Sequence, residues 1–373
     1  MRLRKLLVGG LVVLVVGVGA VAALPRVADR LPKPAGNVAR LPERLWTRIF
    51  PPKVSRQVRL AGLTDPERTA VETLARRLDG LVVWSSNRSG NHELYLLDLR
   101  ARAVRRLTNH PNVDFFSRFS PDGRRIVFLR SQPEWVTFRD FTAWDVYLIG
   151  VDGTGERRIA RGGYHPTWTA DGKAVVFERQ AEKQVVRYEL ATGQETILLD
   201  GPREFPGVHE LGDVELAPDG RRLAFILRGT FSGAFGLQGA FSGAVVLDLA
   251  SRALVPLTRE QACQVTWAPD GQSLLWMGTG GHGGTRVMTA RADGSGRRVF
   301  MDLPGPYSHE YFPKLSGDGR WLLWGAAAEG HEHDRADYEL FVWEVGTPTA
   351  QVVRLTHHPG NDQWPDLWVR PRP

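Results

Sequence analysis

An all-β protein, a ring of six four-stranded blades, is predicted by three observations in this 373-residue sequence. Asp-Gly pairs recur from Asp79 to Asp318 at intervals of 43, 49, 48, 51 and 48 residues. An apolar triplet closing on an aromatic follows each pair, and an eight-residue segment early in the periodic region returns near its end. The 40 glycines and 24 prolines are also too many for long helix interiors and suit short strands joined by turns.

The triplets are Val82-Val83-Trp84, Ile126-Val127-Phe128, Val175-Val176-Phe177, Leu223-Ala224-Phe225, Leu274-Leu275-Trp276 and Leu322-Leu323-Trp324. Three residues before five of the aspartates stands another large apolar residue: Phe119, Trp168, Leu216, Trp267 or Leu315. An apolar strand, a tight turn in which glycine takes a positive φ, and a second apolar strand make a β-hairpin. A third strand follows at 93–98, 145–151, 244–249 and 339–345, and a fourth ends near Leu107-Thr108, Leu257-Thr258 and Leu355-Thr356. Four antiparallel strands in about 48 residues are a propeller blade. The segment from Leu107 to Asp114, which contains His110-Pro111, recurs from Leu355 to Asp362 with His358-Pro359. The last unit therefore runs into a strand at 364–370 with no hairpin partner of its own. That strand is expected to complete the first blade, whose hairpin is cut short at Leu81, and so to close the ring without a free edge.

Ahead of the ring, residues 1–24 read as a signal anchor or signal peptide. Arg2, Arg4 and Lys5 precede 19 uncharged residues, a length that favours a retained anchor, while Ala20-Val21-Ala22 offers a cleavage site. Residues 25–62 form a basic, proline-rich tether, and residues 63–78 a short amphipathic helix opening at Thr64-Asp65-Pro66-Glu67. The propeller then occupies residues 79–373. The expected location is the cell envelope, anchored in the inner membrane and facing the periplasm or exterior, or periplasmic if the first segment is cleaved. Residues 1–62 carry 12 Lys or Arg against Asp29 and Glu43; this net +10, within a total of +7, leaves −3 for the rest. The basic excess thus lies beside an apolar segment and not on a folded face, which argues against nucleic-acid binding. One cysteine, Cys263, excludes an intrachain disulfide and a cysteine-based metal finger.

The motifs Phe119-Ser120-Pro121-Asp122-Gly123, Leu216-Ala217-Pro218-Asp219-Gly220 and Trp267-Ala268-Pro269-Asp270-Gly271, with the Leu-Thr blade ends, resemble the TolB-like, WD40-like PD40 propeller repeat over about residues 79–370. The resemblance implies a cell-envelope propeller that binds other proteins. Propellers of this kind also precede the peptidase domain of prolyl oligopeptidases, but no Gly-x-Ser-x-Gly elbow occurs here.

All ten histidines fall in segments assigned to the fourth-to-first and second-to-third connections, which share one face of the ring. His110, His165, His209, His309 and His358 are expected to ring the channel mouth, with Asp114, Asp362 and His282 beside them. The loop 131–144 adds Trp135, Phe138, Phe141 and Trp144, and a second long loop is expected at 229–243. A histidine- and aromatic-rich face suits a protein or peptide partner from the envelope. Among these residues His309, His331, His333 and Asp334 are the candidate ligands for a divalent metal. The leading expectation is a monomeric, non-catalytic binding propeller without a cofactor. The alternative is a metal-dependent enzyme acting on an acidic saccharide or similar ligand, a general design shared with oligogalacturonate lyases.

Overall fold

The computed structural model of the chain describes residues 62–328, 333–334, 336–358 and 360–371. The apolar amino-terminal segment, the basic tether through residue 61, and His331 lie outside them. Among the described residues no helix is long and apolar enough to cross a membrane.

The described chain opens on α1 (Asp65–Ala75). Its amino end is a capping box in which the Thr64 side chain accepts from Glu67 N while the Glu67 carboxylate accepts from Thr64 N at 2.8 Å. The buried stripe of α1, Val71 and Leu74, continues at Leu78 and packs on Trp321, Leu340 and Leu367.

Three strands of the first blade follow: β1 (Gly80–Ser86), β2 (Glu93–Asp98) and β3 (Ala103–Arg106). The second blade is β4 (Asp114–Phe119), β5 (Arg125–Ser131), β6 (Trp144–Gly150) and β7 (Arg157–Ala160). The third is β8 (Tyr164–Trp168), β9 (Ala174–Arg179), β10 (Gln184–Glu189) and β11 (Glu195–Asp200), after which the one-turn α2 (Gly201–Glu204) leads on. The fourth comprises β12 (Val208–Leu216), β13 (Arg222–Ser232), β14 (Gln238–Asp248) and β15 (Leu254–Pro256). The fifth comprises β16 (Ala262–Trp267), β17 (Ser273–Thr279), β18 (Thr285–Arg291) and β19 (Arg298–Met301). The sixth comprises β20 (His309–Leu315), β21 (Trp321–Ala327), β22 (Tyr338–Glu344) and β23 (Val353–Arg354). The last strand, β24 (Asp362–Val369), pairs antiparallel with β1 and gives the first sheet the order β24-β1-β2-β3. The ring is a six-bladed propeller closed by strand exchange, as the recurring segment predicts.

Each aromatic that ends an apolar triplet lies at the centre of its blade. Trp84, Phe128, Phe177, Phe225, Trp276 and Trp324 are all 2% exposed or less. Five of the Asp-Gly pairs make the hairpin turn, with φ between 62° and 70° at Gly123, Gly172, Gly220, Gly271 and Gly319. The first pair has a different duty. Gly80 starts β1, and a Cβ there would lie 2.5 Å from Trp368 O, so glycine lets the closing strand approach.

One expectation is corrected. Residues 229–243 are not a loop but the far end of a hairpin, with β13 and β14 paired from Arg222↔Asp248 to Ser232↔Gln238. Its apolar residues Phe231, Leu237 and Phe241 turn inward onto the cluster that holds Phe205. Glycine permits this packing, since a Cβ at Gly229 or Gly243 would meet Gly207 O or Thr258 O at 2.5 or 2.0 Å.

Candidate functional site

Every innermost strand carries a bulge at the same place. Register shifts interrupt β4, β8, β12, β16, β20 and the β1–β24 pair. At each shift one non-glycine residue takes a left-handed φ: Phe116, His165, Asp213, Gln264, Phe312 and Trp364, between 43° and 59°. That conformation costs roughly 1–2 kcal/mol per residue in an L-amino acid. Contacts around the resulting ring offset it, because all six residues line the central channel.

Half of the ring is polar. The His165 ring lies between two carboxylates, with Nδ1 3.2 Å from Glu178 Oε1 and Nε2 3.0 Å from Asp213 Oδ1. Asp213 Oδ2 accepts from Gln264 N at 2.6 Å, and Gln264 Oε1 from Phe312 N at 2.6 Å. The other half is aromatic. Trp364 stacks on Phe116 with centroids 3.6 Å apart and lies 3.8 Å from Phe312, while Phe116 meets the His165 ring edge-on at 4.5 Å. Burial alone would disfavour a charged imidazole, but the carboxylates of Glu178 and Asp213 prevail and push His165 up to about 9.

A second layer lies beneath, with Arg118, Thr167, Glu215, Thr266 and Lys314 in the channel wall. Lys314 Nζ donates to Glu215 Oε2 at 3.0 Å and to Thr266 Oγ1 at 2.8 Å, and Asp366 Oδ2 accepts from Phe119 N at 2.7 Å. The pocket between these two layers holds about 40 Å³ of free volume, enough for a few waters. That is well below the roughly 300–1,000 Å³ of known ligand pockets.

The mouth is covered as well. The segment between β5 and β6 crosses it, with Tyr164 Oη donating to Phe138 O at 2.9 Å and Asp334 accepting from Thr137 Oγ1 and from Phe138 N. Phe138 packs edge-on against His333 at 4.4 Å and lies 5.9 Å from Trp364. Phe141 lies 5.0 Å from Tyr164, Trp135 is half-buried, and Trp144 is fully buried as the first residue of β6. These aromatics therefore pack inward over the channel and do not stand free of the surface.

The expected histidine ring is redrawn by the strand geometry. His165 lines the channel and His333 lies above Trp364, but His209 is exposed, and His309 opens β20 opposite Ala327. The His110 motif is a turn: Nδ1 accepts from Asn112 N at 3.1 Å, and Glu93 accepts from Thr108 Oγ1 and His110 N at 2.7 and 2.8 Å. Asp114 is held by Arg130 through two bonds of 2.7 and 2.8 Å. His282 stays at the surface against Asp302 at 2.8 Å.

His358 and Asp362 belong to a different cluster, at the seam where the ring closes. Asp362 accepts from Trp84 Nε1 at 3.0 Å and from His358 Nε2 at 2.9 Å. The Nη2 of Arg88 bridges Glu67 of α1 and Asp362 at 3.1 and 3.3 Å. Glu67, His358 and Asp362 bring one donor atom each within 4.8 Å of one another, a spacing that would suit a metal ion. Arg88, 3% exposed, already supplies one positive charge between the two carboxylates, so the chain itself balances part of the negative charge of this donor set. Burial opposes ionisation of Asp362, yet His358 and Arg88 hold its carboxyl well below the usual range.

Glu67, Arg88 and five of the six ring residues were not candidates on sequence grounds. A shared signal does exist for the ring, since each member lies three residues before a large apolar residue, which ends the strand in five of the six blades, as in His165-Pro166-Thr167-Trp168 and Phe312-Pro313-Lys314-Leu315. Arg88 has no such repeat to mark it.

No family model matches the chain. Among solved structures, one described as a TolB from Agrobacterium tumefaciens shares 15% identity over 79% of this chain and 99% of that one, with a TM-score of 0.53. A chain of a nidogen/laminin complex shares 10% identity over 78% of this chain and 98% of that one, also at 0.53. An oligogalacturonate lyase from Vibrio parahaemolyticus, at 15% identity over 74% of each chain, reaches a TM-score of 0.47. The likeness to the first two is one of fold.

Proposed function

We propose that this chain is a non-catalytic propeller of the cell envelope that binds a protein or peptide partner on the face carrying its histidines and the 131–144 segment. The observation that carries this reading is the closed mouth. Among the described residues, a channel filled by Trp364, Phe116 and Phe312 and covered by Phe138 offers a broad surface and little enclosed space. Such a surface suits recognition by area and shape. The envelope location rests on the basic cluster and the uncharged run at the amino terminus, together with a fold of the TolB type.

Photo-crosslinking in intact cells tests the face. A photoreactive residue at Glu134 or His282, both exposed on this face, is expected to give one adduct of defined mass, and the same residue at Asp171 on the opposite face none. Absence of an adduct at both loop positions defeats the reading. The membrane component has its own check. With a retained anchor, replacing Val13 and Val16 by arginine is expected to release the protein from membranes, since each charge costs about 2.5–3.5 kcal/mol near a helix centre. A mature chain that begins at Ala23 by amino-terminal sequencing would instead make it a soluble exported protein.

A further inference from the structure

At the Asp-Gly end of the ring, neighbouring blades are pinned together by a recurring device. Arg125, which starts β5, lies over Trp168 of the next blade at 4.9 Å and donates Nη2 to Gly172 O at 3.0 Å. Arg222 repeats this on Trp267 at 4.9 Å and Gly271 O at 2.6 Å. Between the first two blades Trp368 donates Nε1 to Pro121 O at 3.1 Å, and α1 packs along the seam between the sixth and the first. The position is Ala174 in the third blade, where Arg187 and Glu189 pair at 2.7 Å.

In the fifth blade the equivalent residue is Ser273, too short to reach across, and the partner it would stack on is Leu315 in place of a tryptophan. A cleft of about 630 Å³ opens there between the fifth and sixth blades. Pairing of Ser273 with Arg291, Leu275 with Thr289 and Thr289 with Arg298 sets these side chains on one wall, and Phe300 joins them. The rim carboxylates are engaged in their own turns. Asp270 Oδ1 accepts from Gln272 N and Ser273 N at 2.8 and 3.0 Å, and Asp318 Oδ1 accepts from Arg320 N at 3.1 Å. The guanidinium groups of Arg291 and Arg298, both exposed, make no hydrogen bond or salt bridge with the described residues. Two forks without a hydrogen-bonded partner among the described residues, Arg291 feeling Asp293 through space and the charges of Asp270 and Asp318 lying at the rim, stand beside an apolar floor of Leu275, Phe300 and Leu315 and complement an anion that carries a hydrocarbon side chain.

We propose that this cleft binds an acidic peptide segment of a partner protein, its carboxylates on Arg291 and Arg298 and an adjacent apolar side chain on the floor. The volume is that of a ligand site, and the cleft lies at the other end of the ring from the histidine-bearing face, so it stands independently of the function proposed above. The test uses the full chain in detergent and a fluorescein-labelled hexapeptide of alternating glutamate and leucine, followed by fluorescence anisotropy. Saturable binding is expected, weakened at least tenfold by the double change Arg291→Ala and Arg298→Ala. Ser273→Arg, which fills the gap as Arg125 and Arg222 do elsewhere, is expected to weaken it as much. His282→Ala is expected to leave it unchanged, and a peptide with lysine for glutamate is expected not to bind. No saturable binding to the wild type, unaltered affinity in both cleft variants, loss of binding with His282→Ala, or equal binding of the lysine peptide overturns the proposal. Both arginines are exposed, so the double variant keeps the wild-type melting transition, which circular dichroism verifies.

Discussion

Removing residues 363–373 is expected to abolish cooperative folding of the whole ring. Those residues hold most of β24, the innermost strand of the first blade, which is paired along β1 from Gly80↔Val369 to Ser86↔Asp362. They also hold Trp364, the stacking partner of Phe116 and Phe312, and Leu367, both nearly fully buried. Cavities left by a tryptophan and a leucine cost about 3–5 and 2–5 kcal/mol, so these two side chains alone approach the 5–15 kcal/mol that stabilises a typical domain. The truncation further leaves β1 with a bare edge and strips Phe119 N of its carboxylate acceptor on Asp366. Thermal melts of the full chain and the truncated chain, followed by circular dichroism, are the measurement. A truncated protein that stays soluble and melts in one sharp transition refutes the closure scheme.

The blades were legible in the sequence because their determinants are local. An Asp-Gly turn, the apolar triplet after it and the anchor before it lie within about ten residues, and each acts through the geometry of one hairpin. Closure was legible for a different reason: Leu355-Thr356 and His358 repeat the Leu107-Thr108 and His110 turn, so the strand after them had to occupy the same place in a blade. The channel ring was harder to read because its only mark in the sequence is a position, three residues before a large apolar residue, and not a residue type. Phe116, His165, Asp213, Gln264, Phe312 and Trp364 share a left-handed φ and no chemistry. Histidine placement misled in the same way. Loops on one face bring the histidines to one end of the ring, but which way each imidazole turns depends on strand pairing and on the carboxylate opposite, as the contrast between His165 and His209 makes plain. The seam cluster could not be found from spacing, since Glu67 and Asp362 meet Arg88 across 21 and 274 residues of chain.

Replacing His165 by glutamine is expected to destabilise the protein by about 3–5 kcal/mol near neutral pH, because Glu178 and Asp213 would then lie buried without their counter-ion. The loss should depend on pH in a way that a packing defect would not. His165 titrates at about 9 in the folded chain, against about 6.5 in an unfolded one. A pKa raised by folding contributes stability in full below the unfolded value and loses it as pH climbs through the folded value. The advantage of the wild type over His165→Gln should therefore shrink by about 3 kcal/mol between pH 6.5 and 9, the side chain being only 17% exposed. Other groups facing the ring do not mimic this. Cys263 and Tyr164 are both raised well above their ordinary ranges by burial, while Asp213 is held below its own against burial by the imidazolium. Glu178 is raised by burial despite the imidazolium, and without His165 it rises further and Asp213 rises too, so the variant itself weakens as pH climbs and the narrowing of about 3 kcal/mol is an upper bound. Elsewhere burial pushes Glu310 up to about 8, and that residue weakens wild type and variant alike as pH rises, so only the difference between them reports on His165. Urea denaturation of both proteins at half-unit steps from pH 6 to 9.5 gives that difference. A gap that stays constant over this range would mean that His165 is neutral in the folded protein and that the ring is held by packing and neutral hydrogen bonds alone.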